Sequence, residues 1–280
     1  MRCFGAATRS MVSEAMRIHD TTPVATAALG RALTAGAMMG CMQKGEGDKV
    51  TLSFRGDGPL GGIVVTAGSD SFVKGYVFEP HVDLPLKSNG KLDVSGALGN
   101  GSLTVIKDMG LKEPYNGRVD LVSGEIAEDL TYYFASSEQV PSSVGLGVLV
   151  NPARGVLSAG GFILQLLPYA SEEVISCLEK NLGSFGSVTE HLSAGENPEE
   201  MLRSLVSPLD LEVTEVIPTG FRCDCSQERV AQALAALSPG DIREMASGSE
   251  DTEVCCHFCK KAYHFSSRDL LGLLEQTDKG

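Results

Sequence analysis

Cys223 and Cys225, separated by 30 intervening residues from Cys256 and Cys259, form two short-spaced thiol pairs near one end of a 280-residue chain. Two cysteines one or two residues apart can both reach a single ion from one turn, and two such turns complete a tetrahedral shell of four sulfurs. Soft thiolates in that number select zinc, and four protein ligands leave no open position for a catalytic water, so the metal would hold structure rather than hydrolyse a bond. Cys255 lies beside the second pair. The favoured C-x-x-C spacing assigns Cys256 and Cys259 to the metal and leaves Cys255 as a spare thiol. His257 and His264 are alternative ligands, read here as facing solvent. The other cysteines, Cys3, Cys41 and Cys177, are scattered singly and read as small buried hydrophobes. Cys41 sits beside Met38, Met39 and Met42 on an apolar helix. Crowded thiols of this kind belong to metal or redox chemistry in a cytosolic chain, not to a secreted disulfide framework.

Other chemistry is less well supported. Gly56-Asp-Gly58-Pro-Leu-Gly61 satisfies G-x-G-x-x-G, and Glu79 lies where a ribose-binding acid would be. The fingerprint needs a helix N-terminus immediately afterwards, and here Pro59 leads into the β-like Gly62-Ile-Val-Val-Thr, so a tight turn between strands is expected. Glu125, Glu128 and Asp129 share a helix face as a possible metal or acid–base group, but a charged first turn explains them more simply. G-x-S-x-G and H-E-x-x-H do not occur. No enzyme is expected.

The elements that must position the thiols follow from patterning. Helices are expected over Thr8–Ile18 and Pro23–Met42, the latter rich in Ala and Leu with Pro23 in its first turn. Strands are expected over Lys49–Arg55, Gly62–Ala67, Phe72–Val77, Ser102–Lys107, Gly145–Val150 and Gly155–Leu167, separated by Gly, Pro and Asp turns. Ser123 reads as the N-cap of a helix through about Glu138. Farther on, Ser171 opens an amphipathic stretch to Leu182, and Asn197-Pro-Glu-Glu200 is a helix start. Leu209–Ile217 reads as a short strand. Ser226 caps a helix stopping at Pro239-Gly240, a shorter one follows from Asp241, and Ser266-x-x-Asp269 is a capping box for Leu270–Gln276. Strands and helices come in blocks, which favours α+β over a doubly wound sheet.

The net charge of −13 is unevenly spread. Residues 1–170 carry a net −2, residues 171–218 a net −8 with two basic groups, and residues 219–280 a net −3. That profile divides the chain into a mixed α/β N-terminal domain (1–170), an acidic, helical, metastable linker (171–218) and a small C-terminal four-cysteine zinc module (219–280). The acidic surface disfavours phosphate backbones, so no nucleic acid is expected as partner. Apolar stretches are interrupted by Gly, Lys or Asp short of ~18 residues, so no membrane span is expected, and no signal peptide is evident after Met1.

The C-x-C…C-x-x-C arrangement, its gap, and the trailing Tyr263-His-Phe265 with Asp269-Leu270 resemble the zinc end of the redox-regulated 33 kDa chaperonins, ATP-independent heat-shock holdases. Further matches are His19-Asp-Thr-Thr-Pro-Val, Ala28-Leu-Gly-Arg31, Gly56–Gly61, Gly90-Lys-Leu-Asp-Val94 and Gly124–Phe134. The resemblance implies one zinc per chain on Cys223, Cys225, Cys256 and Cys259 in the reduced, inactive form. On oxidation it implies disulfides Cys223–Cys225 and Cys256–Cys259. It also implies cytoplasmic localisation, unfolding client proteins as partners and a homodimer when activated. Two departures stand out. Cys255 is a thiol that the pattern does not require, and the family has a leading strand ahead of the stretch matching Arg2–Ala7, so one sheet edge is expected to be incomplete.

A zinc module with a thin core supplies ~3–5 kcal/mol by itself, whereas structural zinc contributes ~10–16 kcal/mol of apparent folding energy. The two disulfides would close tiny loops worth at most ~2 kcal/mol each, so oxidation exchanges a long-range staple for two local ones and the module should unfold. The alternative is a constitutive zinc-stabilised binding module that recruits a folded partner or a nucleic acid, and it would need the zinc-loaded form to bind. A thiol–disulfide oxidoreductase would use Cys256-x-x-Cys259 without metal, but the strand-to-helix context of that motif is missing.

Overall fold

The structure, a computed structural model, describes residues 1–248 and 250–277. It forms two compact units, Met1–Arg222 and Cys223–Gly280. The first runs β1 (Arg2–Ala7), α1 (Arg9–His19), α2 (Pro23–Cys41), β2 (Lys49–Gly56), β3 (Gly62–Gly68), β4 (Phe72–Val77), α3 (Val94–Leu98), β5 (Gly101–Asp108), β6 (Tyr115–Asp120), α4 (Ala127–Ser136), β7 (Ser142–Asn151), β8 (Gly155–Gln165), α5 (Glu172–Ser184), α6 (Val188–Ser193), α7 (Pro198–Val206) and β9 (Gly220–Phe221). The second contains α8 (Gln227–Ala235), α9 (Pro239–Ala246), β10 (Thr252–Cys255), β11 (Ala262–Phe265) and α10 (Ser267–Thr277). The fold is α+β.

Strands β6-β5-β2-β3-β4-β9 form one sheet and β1-β8-β7 another. Along β2, Val50, Leu52 and Phe54 are fully buried while their neighbours are partly exposed, the period-two pattern of a sheet with one covered face. The cover is α2, which packs against β2, β3 and β4 and also against β7 and β8, so its nearly all-apolar surface sits at the centre of the main core. By length and composition α2 could cross a membrane, but 89% of its most apolar 18-residue stretch is buried in the fold, which makes it a core helix. The turn Gly56–Gly61 joins β2 to β3 as expected of a non-nucleotide site. A Cβ on Gly58 would come within 2.5 Å of the Ala97 carbonyl, so glycine lets the backbone of α3 approach the turn.

The three-stranded sheet is covered on both faces. Ile163 of β8 belongs to the main core, whereas its neighbours Phe162 and Leu164 point the other way into a second cluster with Leu178 of α5, Val188 of α6, and Met201, Leu202, Leu205 and Val206 of α7. The acidic helices thus lie on an apolar sheet face. Asn197 caps α7 with a reciprocal bond to Glu200, Pro198 occupies the first turn, and α6 has its own capping box from Ser187 and Glu190.

Four local expectations are corrected. Ser123 does not cap α4, which begins at Ala127. Instead Asp129, inside the helix, accepts the backbone N–H groups of Val122, Ser123 and Gly124 and ties the preceding loop back. Glu125 is consequently off the helix and pairs with Arg31 and Lys87, both at 2.6 Å, so no Glu125–Glu128–Asp129 face exists. Leu209–Ile217 forms no strand. It lies between Pro208 and Pro218, and from Leu211 onward it lines, with Cys3–Ala7, a cleft of about 650 Å³. Leu209 and Leu211 tuck into the second cluster while Val213 and Val216 are exposed, and the strand forms later, at Gly220–Phe221, parallel to β4. Finally, α8 stops at Ala235, and Pro239 is the first residue of α9 under the Ser238 cap, not a terminator.

Candidate functional site

The first thiol pair follows β9 directly, with Cys223 two residues beyond Phe221. The Arg229 guanidinium donates to the Asp224 carbonyl at 3.0 Å and pairs with its carboxylate, which fixes the turn between Cys223 and Cys225. Ser226 then accepts the Arg229 N–H and starts α8. The second pair sits at the closed end of the hairpin formed by β10 and β11, where Val254 faces Tyr263 and Cys255 faces Ala262. There Cys256 N–H donates to the Lys261 carbonyl at 2.9 Å and Lys260 N–H to the Cys256 carbonyl at 2.8 Å, with Lys260 at φ 61°. This knuckle turns the Cys256 and Cys259 side chains to one side. Strand alternation sends Val254 inward and Cys255 out to solvent, beside Glu253 at 3.5 Å. On β11, Tyr263 and Phe265 point into a small core with Leu234, Ile242 and Leu270. The hairpin is absent from the sequence reading, which expected only small helices between the cysteines.

The sulfurs of Cys223, Cys225, Cys256 and Cys259 all lie within 4.8 Å of one another, and each residue is half-buried. Cys223 to Cys256 is 3.8 Å and Cys225 to Cys259 is 3.4 Å. Tetrahedral zinc with Zn–S of ~2.3 Å requires sulfurs about 3.8 Å apart, so the cluster fits the ion. Its electrostatics agree. Burial pushes the Cys223 and Cys259 thiols up. At Cys225 burial acts in the same sense but is outweighed by hydrogen bonds from Tyr263 and the neighbouring thiols, which bring it down to about 7. Crowded sulfurs that resist ionising together become a tetrathiolate when a divalent cation supplies the compensating charge. His257 and His264 lie outside the group, both exposed, and His264 is 3.8 Å from Glu253. Cys3, Cys41 and Cys177 are half-buried in the other unit, with Cys41 Sγ donating to the Met38 carbonyl and Cys177 Sγ to the Ser207 carbonyl. Burial raises the Cys3 and Cys41 thiols, consistent with inert packing.

The acidic helices carry one specific polar lock. His191 of α6 stacks on Phe185 at 4.2 Å with 7° between the rings, and Phe185 meets Phe162 of β8 edge-on at 5.5 Å. Both imidazole nitrogens face acceptors, Nδ1 the Glu196 carboxylate and Nε2 the Phe185 carbonyl, each at 2.8 Å. Two acceptors call for two N–H donors, hence the imidazolium. Partial burial alone would lower the His191 pKa, but these bonds and the charges of Glu196 and Glu190 raise it. The charge pattern of the segment is visible in sequence; this lock is not, because His191 lies five and six residues from its acceptors on Glu196 and Phe185, spacings that mark no cap or helical pair.

Residues 1–266 match the profile of the Hsp33 protein family. The 33 kDa chaperonin of Ruminiclostridium cellulolyticum is 50% identical over 279 residues, with 100% of this chain and 95% of the relative covered. That of Agathobacter rectalis is 52% identical over 270 residues, covering 96% and 94%. The crystal structure of the 33 kDa chaperonin from Thermotoga maritima superimposes with a TM-score of 0.90 at 37% identity, covering 100% of this chain and 95% of that one. With a thiol quartet at zinc-binding spacing in its C-terminal unit, and with sequence and fold alike over its length, this chain belongs to the Hsp33 family of chaperones.

Proposed function

We propose that the protein is a redox-regulated, ATP-independent cytoplasmic holdase, inactive when reduced and zinc-bound and switched on by oxidation. The observation that carries this reading is the quartet of thiols within 4.8 Å in a unit whose buried apolar core, among the described residues, is Leu234, Ile242, Tyr263, Phe265 and Leu270. One zinc on Cys223, Cys225, Cys256 and Cys259 would staple that unit together. Peroxide takes two electrons from each pair, forming disulfides Cys223–Cys225 and Cys256–Cys259, while each peroxide with two protons becomes two waters and the zinc leaves. The new links close only local loops, so residues 219–280 lose their staple and unfold. Cys223 follows directly on β9, whose two residues hold the end of the acidic segment to β4. Release there loosens residues 171–218, where ten acidic and two basic groups make internal ion pairing scarce. Phe162, Leu164 and the apolar sides of α5–α7 then become available to unfolding clients. In this scheme residues 1–170 are the lasting core, and the active form is a homodimer. Zinc content and suppression of client aggregation, measured in one sample before and after peroxide without nucleotide, test it. Zinc should be lost as suppression appears, and equal suppression by the reduced, zinc-loaded protein would sink the switch.

The His191 lock predicts a pH dependence of the cover. Its raised folded-state pKa means that the stabilisation is complete below the ordinary value of 6.5 and is lost as pH rises through the folded value. Hydrogen exchange of α5–α7 in the reduced protein should therefore lose protection as pH climbs upward from 6.5, after correction for intrinsic exchange. His191→Gln should flatten that dependence.

A further inference from the structure

We infer that Tyr263 is a positioning residue that sets how readily the thiol cluster is oxidised, by donating a hydrogen bond from its hydroxyl to Cys225 Sγ. The inference rests on the zinc-switch reading above. The Oη–Sγ distance is 3.0 Å, and the tyrosine is 5% exposed, its ring held among Leu234, Ile242, Phe265 and Leu270. Two backbone donors to the cluster differ in kind. Cys223 receives the backbone N–H of Cys225, and Cys259 that of Lys261, bonds that any sequence adopting these knuckles would make. The donor to Cys225 is a side chain, so it can be removed without altering the backbone. The Lys261 ammonium lies 5.0 Å from the Tyr263 ring centre, and a cation over the ring makes the O–H a stronger donor.

A hydrogen bond to a metal thiolate withdraws charge from the sulfur. That charge is what attacks peroxide. The Cys225 sulfur displaces hydroxide from peroxide, forming an S–O bond as the O–O bond breaks. The Cys223 thiolate then attacks the resulting sulfenic acid, forming the S–S bond and releasing a second hydroxide. Tyr263 opposes the first step by engaging the attacking lone pair, and it favours zinc retention for the same reason.

Tyr263→Phe keeps the ring and deletes only the donor. In the full-length, zinc-loaded protein, peroxide-driven zinc release, followed with a colorimetric chelator, should accelerate about tenfold, within the ~10–100-fold range of second-shell partners. The cobalt(II)-substituted variant should show its thiolate-to-metal charge-transfer band at lower energy, a shift that ring packing alone would not produce. 3-Fluorotyrosine placed at position 263 has a more acidic hydroxyl of almost unchanged size and should slow release below wild type. If wild type itself keeps its zinc under peroxide, the switch reading fails. If wild type releases zinc but the rate and the cobalt band are unmoved by Tyr263→Phe, or the rate is unmoved by fluorination, Tyr263 has no such role.

Discussion

Replacing Cys256 by Ser should abolish tight zinc binding, whereas replacing the adjacent Cys255 should leave it unchanged. The two thiols differ by one position in sequence and by the side of the hairpin they occupy. Cys256 Sγ is 3.8 Å from Cys223 and within 4.8 Å of all three partners, while Cys255 is exposed and its Sγ donates to the Glu253 carboxylate, which pushes its thiol up. A serine hydroxyl is a poor substitute for thiolate, and removing one of four ligands should cost more than the ~10–100-fold that an outer-shell partner commands. Because structural zinc contributes ~10–16 kcal/mol of apparent folding energy, the Cys256→Ser unit should also lose most of its helical signal and amide protection. Competition against a chelator of known affinity, read alongside hydrogen exchange of residues 223–277, measures both. Loss of zinc from Cys255→Ser with retention in Cys256→Ser would reverse the ligand register.

What the sequence disclosed, and what it concealed, divides along the range of the interactions. The quartet was legible because each pair is a local turn whose spacing carries its chemistry. Ser226, Ser266 and the Asn197–Glu200 box were legible because a cap satisfies amides within three residues. Strands β2 to β5 showed themselves as runs rich in Val, Ile, Leu and Phe between Gly, Pro and Asp turns. Strand β1 did not, because Arg2–Ala7 is short and rich in small residues, and it becomes a strand only by pairing with Gln165–Gly160 far along the chain. The hairpin β10–β11 has four residues a side and was masked by the cysteines within it. Ser123 failed for a related reason. Its amide, with two others, goes to Asp129 in the following helix, and Glu125 is drawn off by Arg31 from α2, a partner 94 residues away. The donor from Tyr263 to Cys225 belongs to the same class, since its sequence signal, a tyrosine four residues after Cys259, gives no hint that the hydroxyl points at sulfur.

Met201→Asp should switch on client binding in the reduced, zinc-loaded protein. Met201 and Leu205 are both 0% exposed, on the face of α7 that meets Phe162 and Leu164. A carboxylate there has neither water nor a counter-ion, because the segment's acidic groups already outnumber its basic ones ten to two. Burying the charge would cost several kcal/mol, and the less costly response is for α7 to lift off and hydrate it. The sheet beneath should survive, since β8 also packs through Ile163 against the α2 core. Hydrogen exchange should therefore show early loss of protection across 172–206, with β2, β3 and β5 still protected and zinc still bound. Leu205→Asp, one helical turn on, should act alike, whereas Arg203→Gln, on the exposed side of α7, should be close to silent. If the aspartate variants lose protection in α5–α7 yet remain unable to hold an aggregating client, the covered face is not the binding surface. Cover and redox module would then have to be separated. Oxidation would act on a client surface elsewhere, and the acidic helices would serve only to keep a naked sheet face from associating with its own kind.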